Sequence, residues 1–136
     1  MKPMLSDRLL PYARIIVKHL RIRREDGTYY PGHGIKSKAL AGGYSHHILD
    51  EYLTERDIRR IIQYARLNVP EGNRIAGTPD EGYFFCLNAE EMRGTVAHLI
   101  SEVATRNETI RKLKEAFTEK PELFPINSQA ETKKSL

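Results

Sequence analysis

Residues 53–87, LTERDIRRIIQYARLNVPEGNRIAGTPDEGYFFCL, constrain the fold of this chain more than any other stretch, because they spell a capped amphipathic helix followed by a hairpin. Thr54 is a helix N-cap residue, and Glu55 and Asp57 place negative charge in the first turn, where the helix dipole favours it. Ile58, Ile61, Ile62 and Ala65 recur at i, i+3, i+4 and i+7, which gives one apolar face. Arg56, Arg59, Arg60, Gln63 and Arg66 are expected on the opposite face. After the helix, Arg74-Ile75-Ala76 reads as a short strand, residues 77–82 as a turn and Tyr83-Phe84-Phe85-Cys86-Leu87 as the returning strand. Gly82 leaves the turn and is expected at positive φ, with Tyr83 packed on the helical core. Guanidinium groups on the outside of a helix, beside a protruding hairpin, suit a negatively charged groove such as that of DNA.

The order of these features resembles the winged helix-turn-helix domain, in the version found at the N-terminus of biotin-operon repressors and in small phage or prophage proteins. The residues that carry the resemblance are the Thr-Glu-Arg-Asp-Ile-Arg-Arg-Ile-Ile helix from Thr54, the RIAGTPDEGYFF hairpin from Arg74, and Gly34-Ile35-Lys36-Ser37-Lys38-Ala39-Leu40. The last matches the Ile-x-Ser-x-x-Leu that opens the second helix in that family. The resemblance covers roughly residues 9 to 87, and it departs at Ala41-Gly42-Gly43-Tyr44-Ser45-His46-His47, which lengthen and interrupt the second helix. It implies a mainly α fold with a small β-wing, a winged-helix domain over residues 1–87; a long C-terminal helix over 88–118 is expected separately, from its own apolar spacing. It also implies that the exposed N-terminal half of the Thr54 helix enters the major groove of double-stranded DNA. Thr54, Glu55, Arg56, Arg59, Arg60, Gln63 and Arg66 are then the groove candidates, with Lys36, Ser37 and Lys38 from the preceding helix and Arg74 from the wing. Arginine and glutamine can read guanine and adenine edges respectively.

Two observations pull the other way. The same arginines in an arbitrary protein would be a solvated helix face. The hairpin tip also carries Asp80 and Glu81, where wings of the resembling family carry Lys or Arg. An acidic tip repels phosphate, and it keeps a second class of function open: a winged helix used as an interaction or assembly module, such as a replication accessory or adaptor, without direct DNA contact. The capped entry, the adjoining hairpin and the net charge of +4 favour DNA, in transcription regulation or in phage or prophage replication.

At 136 residues the chain suits one domain with a modest core. The lone Cys86 has no internal disulfide partner, which suits a reducing compartment. Arg8, Pro11, Arg14 and Lys18 interrupt any apolar run near the N-terminus, and no stretch approaches a membrane span. A cytoplasmic location is expected.

Residues 6–24 form an expected first helix with Leu9, Tyr12, Ile15, Ile16, His19 and Leu20 on one side, its regular part starting at Pro11. Arg8, Arg14, Lys18, Arg21, Arg23 and Arg24 on its other side are either a solvated face or supplementary phosphate contacts. Residues 25–34 are a turn-rich connector with a short strand possible at Thr28 to Tyr30. Gly42-Gly43 separates two short helical pieces, the later from about Ser45 to Tyr52, with Ile48, Leu49 and Tyr52 inward.

Asn88 and Glu91 form a capping box, after which Met92, Val96, Leu99, Val103, Arg106, Ile110, Leu113 and Phe117 follow 4-3-4-3 spacing. A helix from Ala89 to about Thr118 would be roughly 45 Å long. A small domain does not cover so long a stripe, so Val96, Leu99, Val103, Arg106, Ile110, Leu113 and Phe117 are the expected interface of a homodimer. The tail over 119–136 is polar and expected to be disordered.

Catalytic chemistry has little support. His46 and His47 point about 100° apart on a helix, and with His33 and Cys86 they show neither C-x-x-C nor H-x-x-x-H spacing. There is no glycine-rich phosphate loop, nucleophile elbow or carboxylate pair of familiar spacing. His19, His98 and Cys86 are expected in packing roles, and neither a metal nor a cofactor is expected.

Overall fold

The computed structural model describes residues 5–119 and is mainly helical, with one small antiparallel sheet of two strands. Helix α1 (Leu5–Glu25) is followed by the single turn α2 (Ser37–Leu40), α3 (Gly43–Leu49) and α4 (Glu55–Asn68). A 3₁₀ turn at Gly72–Arg74 leads into β1 (Ile75–Ala76), which pairs with β2 (Phe84–Phe85), and α5 (Ala89–Glu119) follows. The chain forms two compact units that divide within α5, between Thr95 and Val96. Of the tail expected over 119–136, Glu119 is the last residue of α5, and the rest lies outside the described residues. No helix among the described residues is long and apolar enough to cross a membrane.

The first unit is built on α1 against α4. Leu9, Ala13, Ile16, Val17 and Leu20 are buried from α1, and Ile58, Ile61, Ile62 and Ala65 from α4. The α4 stripe is the expected one. The α1 face is rotated from the expected one: Ile15 is 41% exposed and Tyr12 and His19 are only part-buried, while Ala13 and Val17 turn inward. A small residue such as Ala13 lets a neighbouring helix pack close, which apolar counting alone does not weigh. The helix also starts at Leu5 and runs through Pro11 instead of starting there. Pro11 removes the N–H that would bond the Asp7 carbonyl, and Asp7 is exposed, so water can serve that oxygen. His19 is held by Tyr44, whose hydroxyl also meets that of Tyr29 at 2.8 Å.

The connector holds only an isolated bridge, Tyr30 to His33, in place of a strand. Helix α3 ends at Leu49, earlier than expected, because Asp50 turns left-handed (φ 57°) and donates its N–H to the His46 carbonyl. Leu53 then bridges Gly42, and Thr54 after it is extended. Leu53 enters the core and Tyr52 turns out, 70% exposed and stacked on His46 at 4.2 Å. Tyr52 is therefore not the core residue expected. Ser45 Oγ secures the bend by donating to the Gly42 carbonyl (2.7 Å) and accepting from the Leu53 N–H (2.8 Å).

The hairpin pairs Ile75 with Phe85 and Ala76 with Phe84. Ile35 bridges Tyr83 on the other side through two hydrogen bonds of 2.9 and 2.8 Å. Gly82 sits at φ +107° and Tyr83 is 2% exposed, both as expected. The hairpin does not protrude, however: residues 75–78 and 82–86 are all buried. Its turn lies against the start of α2, where the Ser37 N–H donates to the Pro79 carbonyl at 3.1 Å. Strands with apolar residues on both faces need cover on both.

The start of α5 belongs to this unit. Asn88 Oδ1 accepts the Glu91 N–H, and the Glu91 carboxylate accepts the Leu87 N–H at 2.8 Å instead of the Asn88 N–H of a regular capping box. Glu91 also receives both Arg24 nitrogens, at 3.0 and 2.8 Å. Thr95 Oγ1 accepts from the Gly77 N–H at 2.6 Å. The second unit, as far as it is described, is the remainder of α5, and its seam residues Val96, Leu99, Val103, Ile110 and Leu113 are exposed.

Candidate nucleic-acid interface

The outer face of α4 is fixed by its two ends and its buried stripe. Thr54 Oγ1 accepts the Asp57 N–H (3.1 Å), and the Asp57 carboxylate accepts the Thr54 N–H (3.2 Å), so the first turn is locked. At the far end Val69 is extended, as the residue before Pro70 must be. With four residues of the stripe at most 1% exposed, rotation of the helix is set, and Glu55, Arg56, Arg59, Arg60 and Gln63 face solvent.

What distinguishes this face is the state of its charges. Most other arginines of the first unit are already neutralised. Arg8 meets Glu51 at 2.8 Å, Arg21 meets Glu71 at 2.9 Å, Arg23 meets Asp26 at 2.7 Å and Arg24 meets Glu91. Among the described residues Arg56, Arg59 and Arg60 have no such ion pair, and neither do Arg14, Lys18, Lys36 and Lys38, all exposed. Cations with no carboxylate to give up are the ones ready to replace counterions on a phosphate backbone.

Three expected contact residues are not on this face. Arg66 is half-buried: its guanidinium donates to the carbonyls of Ile75 (3.1 Å) and Gly77 (2.9 Å) and lies over the Tyr83 ring. Burial pushes its pKa down, and the same burial raises that of Tyr83 to about 12. Arg66 follows Ile62 by four residues and Ile58 by eight, so it flanks the apolar stripe, and its long stem lets the head reach back to β1. Arg74 donates to the carbonyls of Cys86 (3.1 Å) and Leu87 (3.3 Å) and covers the Phe85 ring at 4.8 Å, so it clasps the hairpin. Ser37 is 2% exposed. Asp80 and Glu81 stand exposed at the hairpin tip.

Sequence reasoning missed one exposed group here, Tyr52 stacked on His46 just ahead of the α4 cap. The alternation of Tyr52 and Leu53 before a cap residue was the available signal. Cys86 is buried, which pushes its thiol pKa up and disfavours the reactive thiolate. Among the described residues no three His, Cys, Asp or Glu side chains gather as a metal group.

Arg66→Ala is expected to lower stability by about 2 kcal/mol, because two carbonyls lose a charged donor. The affinity of the folded fraction for any anionic partner should stay unchanged. A thermally unaltered variant with weakened binding would return Arg66 to the interface.

Compared with protein-family models, curated proteins and solved structures, the chain matches none.

Proposed function

We propose that this chain binds double-stranded DNA through the outer face of α4, as a winged helix-turn-helix protein that acts as a homodimer in transcription regulation or in phage or prophage replication. The observation that carries the proposal is the set of three exposed arginines with no ion pair among the described residues, Arg56, Arg59 and Arg60, gathered with Gln63 on one locked helix face. Arg56 and Arg60, and Arg59 and Gln63, are each four residues apart, so they form two rows along the helix. A major groove about 12 Å wide admits such a helix, with arginine on guanine edges and Gln63 on adenine. Lys36, Lys38, Arg14 and Lys18 would supply phosphate contacts that set orientation without reading sequence.

The element order supports the same assignment. A helix, a bridging residue at Ile35, short helices, the candidate recognition helix and a hairpin whose returning arm meets Ile35 through Tyr83 and β1 through β2 follow the order of a winged helix. The buried hairpin and its acidic tip imply that the wing braces α4 and that base contact falls to the helix. The acidic tip, with the exposed Tyr52, favours the second proposal, an interaction or assembly module without DNA. Binding to labelled duplex DNA across a range of salt separates the two, since only phosphate contacts release counterions.

A further inference from the structure

The exposed seam of α5 carries its own information about what covers it. Val96, Leu99, Ile100 and Val103 border a shallow apolar groove of about 300 Å³. Arg106 lies in the middle of the seam and has no ion pair among the described residues. Glu102, one turn earlier, meets only His98 among the described residues, at 3.0 Å. The two opposite charges therefore lie side by side at the middle of an apolar stripe.

Direction decides what those charges do. In a parallel, in-register pair every seam residue faces its own copy, so two Arg106 guanidiniums meet in the apolar seam and repel. Antiparallel, with the twofold axis between residues 104 and 105, Val96 faces Leu113, Leu99 faces Ile110 and Val103 faces Arg106. Each Arg106 then lies within one residue's rise, about 1.5 Å, of the level of Glu102 on the other copy. Its stem packs on Val103 while the guanidinium reaches that carboxylate, twice across the axis. The groove bordered by Val96 and Leu99 receives Leu113 and Ile110.

We propose that α5 pairs antiparallel with a second copy of this chain, closed by two reciprocal Arg106–Glu102 ion pairs. The proposal rests on the homodimer part of the function above and adds the direction and the charges that select it. A helix of a different protein would have no reason to match both charges about the seam's own midpoint.

Cysteine cross-linking of the full chain tests it, the buried Cys86 being left in place. Under mild oxidation a mixture of Val96→Cys and Leu113→Cys chains should give a linked dimer, and Val96→Cys alone should not. In the antiparallel pair the two residues at position 96 stand about 26 Å apart along the axis. Glu102→Arg or Arg106→Glu singly should weaken the dimer about tenfold or more, and the two together should restore it. Linkage of Val96→Cys chains alone, or failure of the double reversal to restore pairing, overturns the antiparallel assignment. A parent that runs as a monomer by light scattering at every concentration overturns self-association and leaves α5 to a different protein. None of these outcomes bears on the Arg59 and Arg60 contacts, which are tested with DNA.

Discussion

Replacing Arg59 and Arg60 together by alanine should weaken binding to duplex DNA by about 30-fold or more while leaving the fold intact. Both side chains are exposed and without ion pairs among the described residues, and they point away from the Ile58, Ile61 and Ile62 stripe. Alanine is a better helix former than arginine, so α4 itself loses nothing. Each base or phosphate contact is worth about 1–3 kcal/mol, so the pair should weaken binding between about 30-fold and about 10⁴-fold. Anisotropy titration gives the affinity, and thermal unfolding monitors the fold. Unchanged affinity in a folded variant would remove α4 from the interface.

Gly77→Ala should be among the most damaging single methyl groups in the first unit. Gly77 sits at φ +97°, and a Cβ there would lie 1.9 Å from the Gly82 carbonyl oxygen and 2.8 Å from its carbon. Both are backbone atoms, and Gly82 is itself held against Gly34, where a Cβ would come within 2.6 Å of the carbonyl. No flexible side chain is present to yield. The dihedral alone costs about 1–3 kcal/mol, and the clash raises the total to about 4 kcal/mol or more, much of the stability of a small domain. Gly94→Ala is the control: nothing lies within 4 Å of its would-be Cβ, and it is helical, so it should stabilise by up to about 1 kcal/mol. A Gly77→Ala variant that melts with the parent would mean that the hairpin turn is looser than these contacts require.

Features governed by local rules were legible in the sequence. The Thr54 cap, the isoleucine stripe, the long C-terminal helix and the positive φ of Gly82 each follow from residues within a turn or two of one another. Features fixed across the chain were not. Arg24 finds Glu91, Arg21 finds Glu71 and Arg8 finds Glu51, partners 67, 50 and 43 residues away, and these pairings set those cations of α1 apart from Arg14 and Lys18. Arg66 and Arg74 looked like groove residues because a helical wheel and a strand assign them a side. Their guanidiniums instead satisfy hairpin carbonyls, whose positions no side-chain pattern encodes. The hairpin looked protruding because turn residues predict a reversal and say nothing of what lies above it. Gly34 and Ile35, each 48 residues before the hairpin residue it meets, Gly82 and Tyr83, supply that cover.

The most direct test of duplex recognition by α4 is the salt dependence of the full chain binding a labelled duplex. Exposed cations on α4 and its neighbours, doubled in a dimer, should give a log–log slope steeper than about −4, since each neutralised phosphate adds about −0.9. Arg59→Ala/Arg60→Ala should flatten that slope. A parent that fails to bind duplex DNA at about 50 mM salt, or binds with an affinity indifferent to salt, would contradict it.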